Sequence, residues 1–135
     1  MAINDQKMGW VDKPREVDLI KSQMQHPLFS GAAPLLKGTG KGKKALLHQY
    51  YTQLGIPFPL RHQTDSDCVS MGTALAVDTR KVAEIIQGER ESWVAQTSTE
   101  DIYSGSRMII GGGRISGGGS VGIWAAKYIN KNNYG

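Results

Sequence analysis

The residue of this sequence best suited to covalent chemistry is Cys68, the single cysteine of the 135-residue chain. It stands in the stretch RHQTDSDCVSMGTALAVD, residues 61–78, where polar, turn-forming residues give way to a helical pattern. A thiol in the first turn of a helix faces unpaired backbone N–H groups and the positive end of the helix dipole. Both favour the thiolate, which is the nucleophilic form of cysteine. Asp65 and Asp67 act in the opposite direction, because nearby negative charge favours the neutral thiol.

A second interpretation treats Cys68 as a small buried residue that begins a core helix. Its position at the edge of an apolar stripe favours this interpretation. Gln63 favours the first one, because a side-chain amide just upstream can donate to a developing oxyanion beside the Cys68 backbone N–H. The arrangement then predicts acyl transfer through a thiol.

Helical patterns separated by glycine and proline position these residues. The spacing predicts helices at 14–25, with Pro14 in the first turn, at 44–55, ended by Gly55, and from Asp67 or the next residue to Gly88. A short helix is predicted within 97–110, capped by Ser98 or Thr99, and a last helix is predicted to be capped by Ser120. Six glycines among residues 111–119 predict a loop.

The longest of these helices carries an apolar stripe with one charged residue in it. The stripe that we expect to be buried consists of Met71, Leu75, Val82, Ile85 and Ile86. Asp78 projects onto its middle, and a buried acid needs either a partner or a proton. The last helix has a second stripe, which consists of Val121, Trp124, Ala125, Tyr128 and Ile129.

Residues 62–78, HQTDSDCVSMGTALAVD, resemble the nucleophile segment of papain-like cysteine peptidases. The likeness continues downstream in the same order. Asp78 matches an acidic residue of the family's central helix, TSTED (97–101) resembles the start of its next helix, and ISGGGSVGIWAAKYI (115–129) resembles its glycine-rich loop and the helix after it.

The resemblance implies a role for four residues of this chain. Cys68 would be the nucleophile, Gln63 the oxyanion donor, and Gly118 and Gly119 the glycine pair that binds the substrate backbone. It implies a peptide or protein as substrate and no cofactor.

The chain departs from the family pattern in several places. The step from Gln63 to Cys68 is one residue shorter than is usual, Val69 replaces a common aromatic residue, and Ser116 replaces a loop cysteine. The family's general base is a histidine far downstream with an asparagine beyond it, but no histidine follows Cys68 here. His48 and His62 are the candidates for a local base.

From the resemblance we expect an α+β family fold of which this chain, mostly α, is the helical subdomain with a long central helix and glycine-rich loops. Residues 1–55 would be a helical, basic N-terminal extension, and residues 56–135 the subdomain, truncated at its C-terminus. A missing C-terminal subdomain would complete the site. The expected function is thiol-dependent peptide-bond hydrolysis, incomplete in this fragment. The alternatives are a catalytically inactive structural or binding module, for example in a virion, and a cell-wall peptide amidase.

Composition narrows the remaining possibilities. No apolar run approaches the ~20 residues that span a bilayer, and the N-terminus lacks the order of a signal peptide. We therefore expect a cytoplasmic or virion-associated protein. The net charge of +4 comes from residues 1–60, mainly from KGTGKGKK (37–44), but few aromatic residues accompany these lysines, which disfavours nucleic-acid binding. One cysteine and three scattered histidines show no metal-site spacing.

Overall fold

The computed structural model describes residues 11–23, 42, 44, 46–63, 65–89 and 92–132. The described residues fall into two compact units. The smaller unit contains the described residues from Lys13 to Leu46. The larger unit contains Val11, Asp12 and the described residues from Leu47 onward. The basic run 37–44 lies outside the described residues except for Gly42 and Lys44.

The described part of the chain is mostly helical, as predicted. Its helices are α1 (Pro14–Gln23), α2 (His48–Leu54), α3 (Cys68–Ile86), α4 (Thr99–Ser104), a π-helical turn (Gly105–Ile110) and α5 (Gly122–Lys131). Only α1 belongs to the smaller unit. The ammonium nitrogen of Lys13, the residue before α1, lies 3.9 Å from a carboxylate oxygen of Glu16 in the first turn of this helix.

Local sequence explains where these helices begin and end. Pro14 opens α1, because its missing N–H would have no acceptor in the first turn. Gly55 ends α2 in the left-handed conformation, with φ of 74°, and its N–H bonds back to the last turn. The Ser98 side chain accepts a hydrogen bond of 3.1 Å from the Asp101 N–H and so caps α4. These three predictions are confirmed.

The core of the larger unit lies where α3 meets α4 and α5. Val69 and Ala74 from α3 pack with Ile102 from α4 and Ala125 from α5. The predicted stripe of α5 is buried, with Trp124 fully enclosed and Ile129 packed at the edge of the cluster. Burial of these apolar side chains is the main force that holds the three helices together.

The expected papain-like α+β fold is wrong for the described residues, which contain no strand or sheet. The extended segments 56–63 and 92–98 use their backbone groups in other ways. Pro57 and Pro59 have no N–H to donate, and the Thr97 N–H donates to the carboxylate of Asp78. These backbone groups are therefore not available for a hydrogen-bonded ladder.

Three local predictions also need correction. Of the predicted stripe of α3 only Val82 is buried, and Met71, Leu75, Ile85 and Ile86 are only partly buried, because the core contacts of α3 come from a different face. Asp67 stands at the N-cap position but its side chain makes no capping bond. The N-cap of α5 is Val121 and not Ser120, whose hydroxyl instead lies 2.8 Å from that of Ser106 in the core.

Candidate active site

Cys68 is the first residue of α3, and its side chain is exposed. The interpretation of Cys68 as a buried core residue is therefore wrong. The first amides of an α-helix have no acceptor within the helix, and Asp67 leaves them without a side-chain cap. A substrate oxygen could therefore approach the N–H groups of this turn. The thiol also stands at the positive end of a helix of 19 residues.

Gln63 is placed differently from the expectation. Its amide nitrogen Nε2 donates a hydrogen bond of 2.7 Å to the backbone oxygen of Asp65, which closes the turn before α3. None of the hydrogen bonds between described residues joins Gln63 to Cys68. The amide is exposed, and it must leave Asp65 before it can reach an oxyanion.

The glycine-rich loop after the π-helical turn is held by Arg107. This guanidinium donates a hydrogen bond of 2.5 Å to the carbonyl oxygen of Gly117 and one of 3.2 Å to that of Ile115. It also donates a hydrogen bond to the Tyr103 hydroxyl. It lies over the ring of Tyr103, 4.9 Å from its centre. A planar fork with several donors is suited to such a clamp.

The two glycines that were predicted to bind substrate differ in their backbone environment. The N–H of Gly119 donates to the Tyr103 hydroxyl at 3.2 Å, and its φ of 95° requires glycine. That N–H is therefore already used inside the protein. Gly118 is partly exposed in the same loop.

The segment before Cys68 is anchored by a buried ion pair. The carboxylate of Asp78, which is fully buried, accepts a hydrogen bond of 2.6 Å from Arg61. Its other oxygen accepts from the Thr97 N–H at 2.9 Å and from the Thr97 hydroxyl at 2.6 Å. Arg61 also donates a hydrogen bond of 2.6 Å to the hydroxyl of Thr99. The network joins the approach to Cys68, the middle of α3 and the start of α4.

Sequence reasoning identified Asp78 and the need for a partner, and this prediction is confirmed. It missed Arg61 and Arg107. Neither residue has a local pattern that distinguishes it from a surface arginine, because the groups that each one binds are brought to it by the fold.

No histidine among the described residues hydrogen-bonds to Cys68. His48, at the first residue of α2, and His62, six residues before the thiol, are both exposed. The third histidine, His26, lies outside the described residues. Among the described residues, the exposed Cys68 thiol thus has no histidine hydrogen-bonded to it.

Neither a metal-binding cluster nor a membrane-spanning helix is found in the part of the chain that the structure describes. It contains no group of three or more His, Cys, Asp or Glu side chains that could hold a metal ion. It also contains no helix whose length and apolar character would let it cross a bilayer. Comparison of the chain with protein-family models, curated proteins and solved structures gives no significant match.

Proposed function

We propose that this chain carries the thiol nucleophile of an acyl transfer whose overall result is hydrolysis of a peptide bond. The exposed Cys68 at the start of α3 is the observation that carries the proposal. The sulfur bonds to the substrate carbonyl carbon, the C–N bond breaks, and the leaving amine takes up a proton. Water then attacks the thioester, which releases the carboxylic acid and restores the thiol.

The negative charge that develops on the carbonyl oxygen needs hydrogen-bond donors. The backbone N–H of Cys68 is one donor, because it belongs to the first turn of the helix. The amide of Gln63 becomes the second once it turns away from the Asp65 carbonyl, which an exposed side chain can do at low cost. Gly118 is the glycine whose backbone we expect to contact the substrate, since the N–H of Gly119 already bonds to Tyr103.

The proton acceptor is the part of the mechanism that the described residues do not supply. An activating base has to come within hydrogen-bond reach of the thiol, roughly 3 Å. Both described histidines are exposed and neither bonds to Cys68. We therefore assign the base to a segment outside the described residues or to a second subunit, either of which would have to meet the protein beside α3.

Alkylation of Cys68 by iodoacetamide at neutral pH tests the nucleophile directly. The second-order rate constant is measured by mass spectrometry for the folded chain and again in denaturant. Because the chain has one cysteine, the denatured protein is a control with the same thiol and no helix. We expect faster alkylation in the folded state, because the exposed sulfur lies at the positive end of α3. Slower alkylation when folded would overturn the proposal.

A non-catalytic binding module is the second candidate. This candidate is favoured because two groups that were expected to donate hydrogen bonds to the substrate already donate within the protein. The Gln63 amide donates to the Asp65 carbonyl, and the Gly119 N–H donates to the Tyr103 hydroxyl. In this case Gln63→Ala would leave the reaction of Cys68 with a peptide aldehyde unchanged. If Gln63 is instead a catalytic oxyanion donor, its removal is expected to weaken the binding of the aldehyde by about 100-fold.

A further inference from the structure

An open apolar groove runs along the face of α3 that begins with Cys68. It consists of two adjoining hollows, of about 250 Å³ and about 430 Å³, which share Gly72 and Leu75. Phe58, Leu60 and Met71 line the first hollow, and Leu47, Ala76 and Ala83 line the second.

The thiol lies on the same helical face as this groove. Met71, Gly72 and Leu75 follow Cys68 by three, four and seven residues, and such residues are neighbours on a helix surface, with Cβ atoms about 5–6 Å apart. The groove therefore starts about one helical turn from the sulfur. The half-burial of Met71 and Leu75, which was not expected from the stripe, results from their place in the groove.

The groove has apolar walls and free space. Leu60 is 79% exposed, Leu47 50% and Phe58 41%, a concentration of exposed apolar side chains that is typical of binding surfaces. At Gly72 a Cβ atom would find nothing within 4 Å, so that the middle of the groove is unobstructed.

The groove is also nearly neutral. Arg61 lines the first hollow and Arg80 the second, but each guanidinium is paired within the protein. Arg61 lies 2.6 Å from Asp78, and Arg80 lies 2.7 Å from Glu84. Neither hollow offers an uncompensated charge to an acidic ligand.

We propose that this groove binds apolar side chains of the peptide that Cys68 attacks. In an extended peptide the side chains on one side are ~7 Å apart, which is close to the ~5–6 Å expected between the Cβ atoms of Cys68 and of Met71, one helical turn further along. A leucine or phenylalanine near the scissile bond therefore enters the hollow formed by Phe58, Leu60 and Met71 when its neighbouring carbonyl reaches the sulfur. This inference rests on the proposed function and names its substrate class as peptides with neutral, bulky residues.

Peptidyl chloromethyl ketones test the groove without requiring turnover. The Cys68 sulfur displaces chloride, so that a C–S bond forms as the C–Cl bond breaks. Two reagents are compared, one with leucine or phenylalanine beside the reactive group and one with aspartate there. Each rate constant is divided by that of iodoacetamide on the same protein. We expect the apolar reagent to be favoured by at least about tenfold.

Two matched variants test whether the groove causes the preference for the apolar reagent. Leu60→Ser is expected to reduce it several-fold, whereas Val94→Ser, at a position that is 89% exposed and does not line the groove, is expected to keep it. Both side chains are exposed, so that neither change should disturb the core.

The possible results separate this inference from the proposed function. Failure of iodoacetamide to modify folded Cys68 overturns the proposed function. Normal modification with no apolar preference, or an equal preference in Leu60→Ser, overturns only the groove proposal. Faster labelling by a long-chain alkyl chloromethyl ketone than by the apolar peptide reagent would assign the groove to an acyl chain instead. A concentration-dependent dimer that Leu60→Ser dissociates in analytical ultracentrifugation would assign it to a second copy, and overturns the proposal as well.

Discussion

Arg61 and Asp78 form a buried ion pair, with 2.6 Å between Nη2 and Oδ2, that ties the segment before Cys68 to the middle of α3. The carboxylate is completely buried and the arginine side chain is 14% exposed. The pair therefore holds Arg61, seven residues before the thiol, against the helix that Cys68 begins.

Removal of either partner should be strongly destabilising. Asp78→Ala leaves the guanidinium of Arg61 without its counter-charge, and breaking a buried pair in this way costs about 3–5 kcal/mol. We expect a loss of this size in the free energy of unfolding, measured by urea denaturation. Arg80→Met is the control, because its pair with Glu84 has a similar distance but an arginine that is 69% exposed. The control should cost less than about 1 kcal/mol, and equal losses would contradict the assignment.

Two glycines should respond in opposite directions to alanine. A Cβ at Gly111 would lie 2.5 Å from the ring of Trp124 and 2.6 Å from the backbone oxygen of Arg107, and Trp124 is fully buried. Gly111→Ala should therefore cost about 1–3 kcal/mol. Gly72→Ala, in an open position of α3, should stabilise by about 0.5–1 kcal/mol. Thermal unfolding of both variants checks the two signs, and a neutral Gly111→Ala would show that the Trp124 ring can yield.

The clamp by Arg107 should control the order of the glycine-rich loop. Arg107→Met removes the hydrogen bonds to the carbonyls of Ile115 and Gly117 and to the Tyr103 hydroxyl. We expect faster amide hydrogen exchange across residues 111–119, with little change in α3. Lys127→Met, at an exposed position of α5, is the comparison variant. If it accelerates exchange as much as Arg107→Met does, the loop is not held specifically by Arg107.

Stability should decline in alkali because of two tyrosines. Burial raises the pKa of Tyr51 and of Tyr128 above the ordinary value of 10.0, and nearby carboxylates, Asp78 and Asp101 respectively, act in the same direction. The folded state therefore keeps protons that the unfolded state loses. The contribution to stability is complete below pH 10.0 and is lost as the pH rises through the folded-state pKa values.

Urea unfolding at several pH values around and above 10 measures this effect. Tyr51→Phe and Tyr128→Phe should each show a shallower decline than the natural sequence, because phenylalanine does not titrate. Lysines contribute equally to all three proteins, so that the difference in slope reports the tyrosines. Identical slopes would mean that the phenols are not held neutral by the fold.

The 135-residue chain alone should not turn over peptide substrates. The thiol is exposed, but no described histidine bonds to it, and a cysteine without a base attacks amides too slowly to detect. The measurement is release of fluorescent fragments from labelled casein, with Cys68→Ser as the background. Turnover that disappears in Cys68→Ser would show that the chain supplies its own base. The variants His48→Ala and His62→Ala would then identify which histidine acts.

Much of the helical framework could be predicted because its causes are local. Pro14, Gly55 and Ser98 act through their own backbone conformation or through atoms within a few residues, so that the positions of three helix ends followed from the sequence. Asp78 could be identified as a buried acid because its position on the helical wheel is local information as well. The β-rich part of the expected fold was wrong, because the resemblance covered the nucleophile segment and helices and carried no information on strand pairing.

The sequence by itself determined that a thiol begins the long helix, that a glycine-rich loop precedes the last helix, and that an acid interrupts an apolar stripe. Tertiary structure alone decided that Cys68 and the Met71–Leu75 face are open, since Val69 and Ala74 on another face of α3 meet Ile102 and Ala125. It also decided that Gln63 bonds to Asp65, that Gly119 bonds to Tyr103 and that Arg61 pairs with Asp78. The physical reason is that helix ends are set by neighbours along the chain, whereas burial and side-chain partners depend on which distant surfaces the packing brings together.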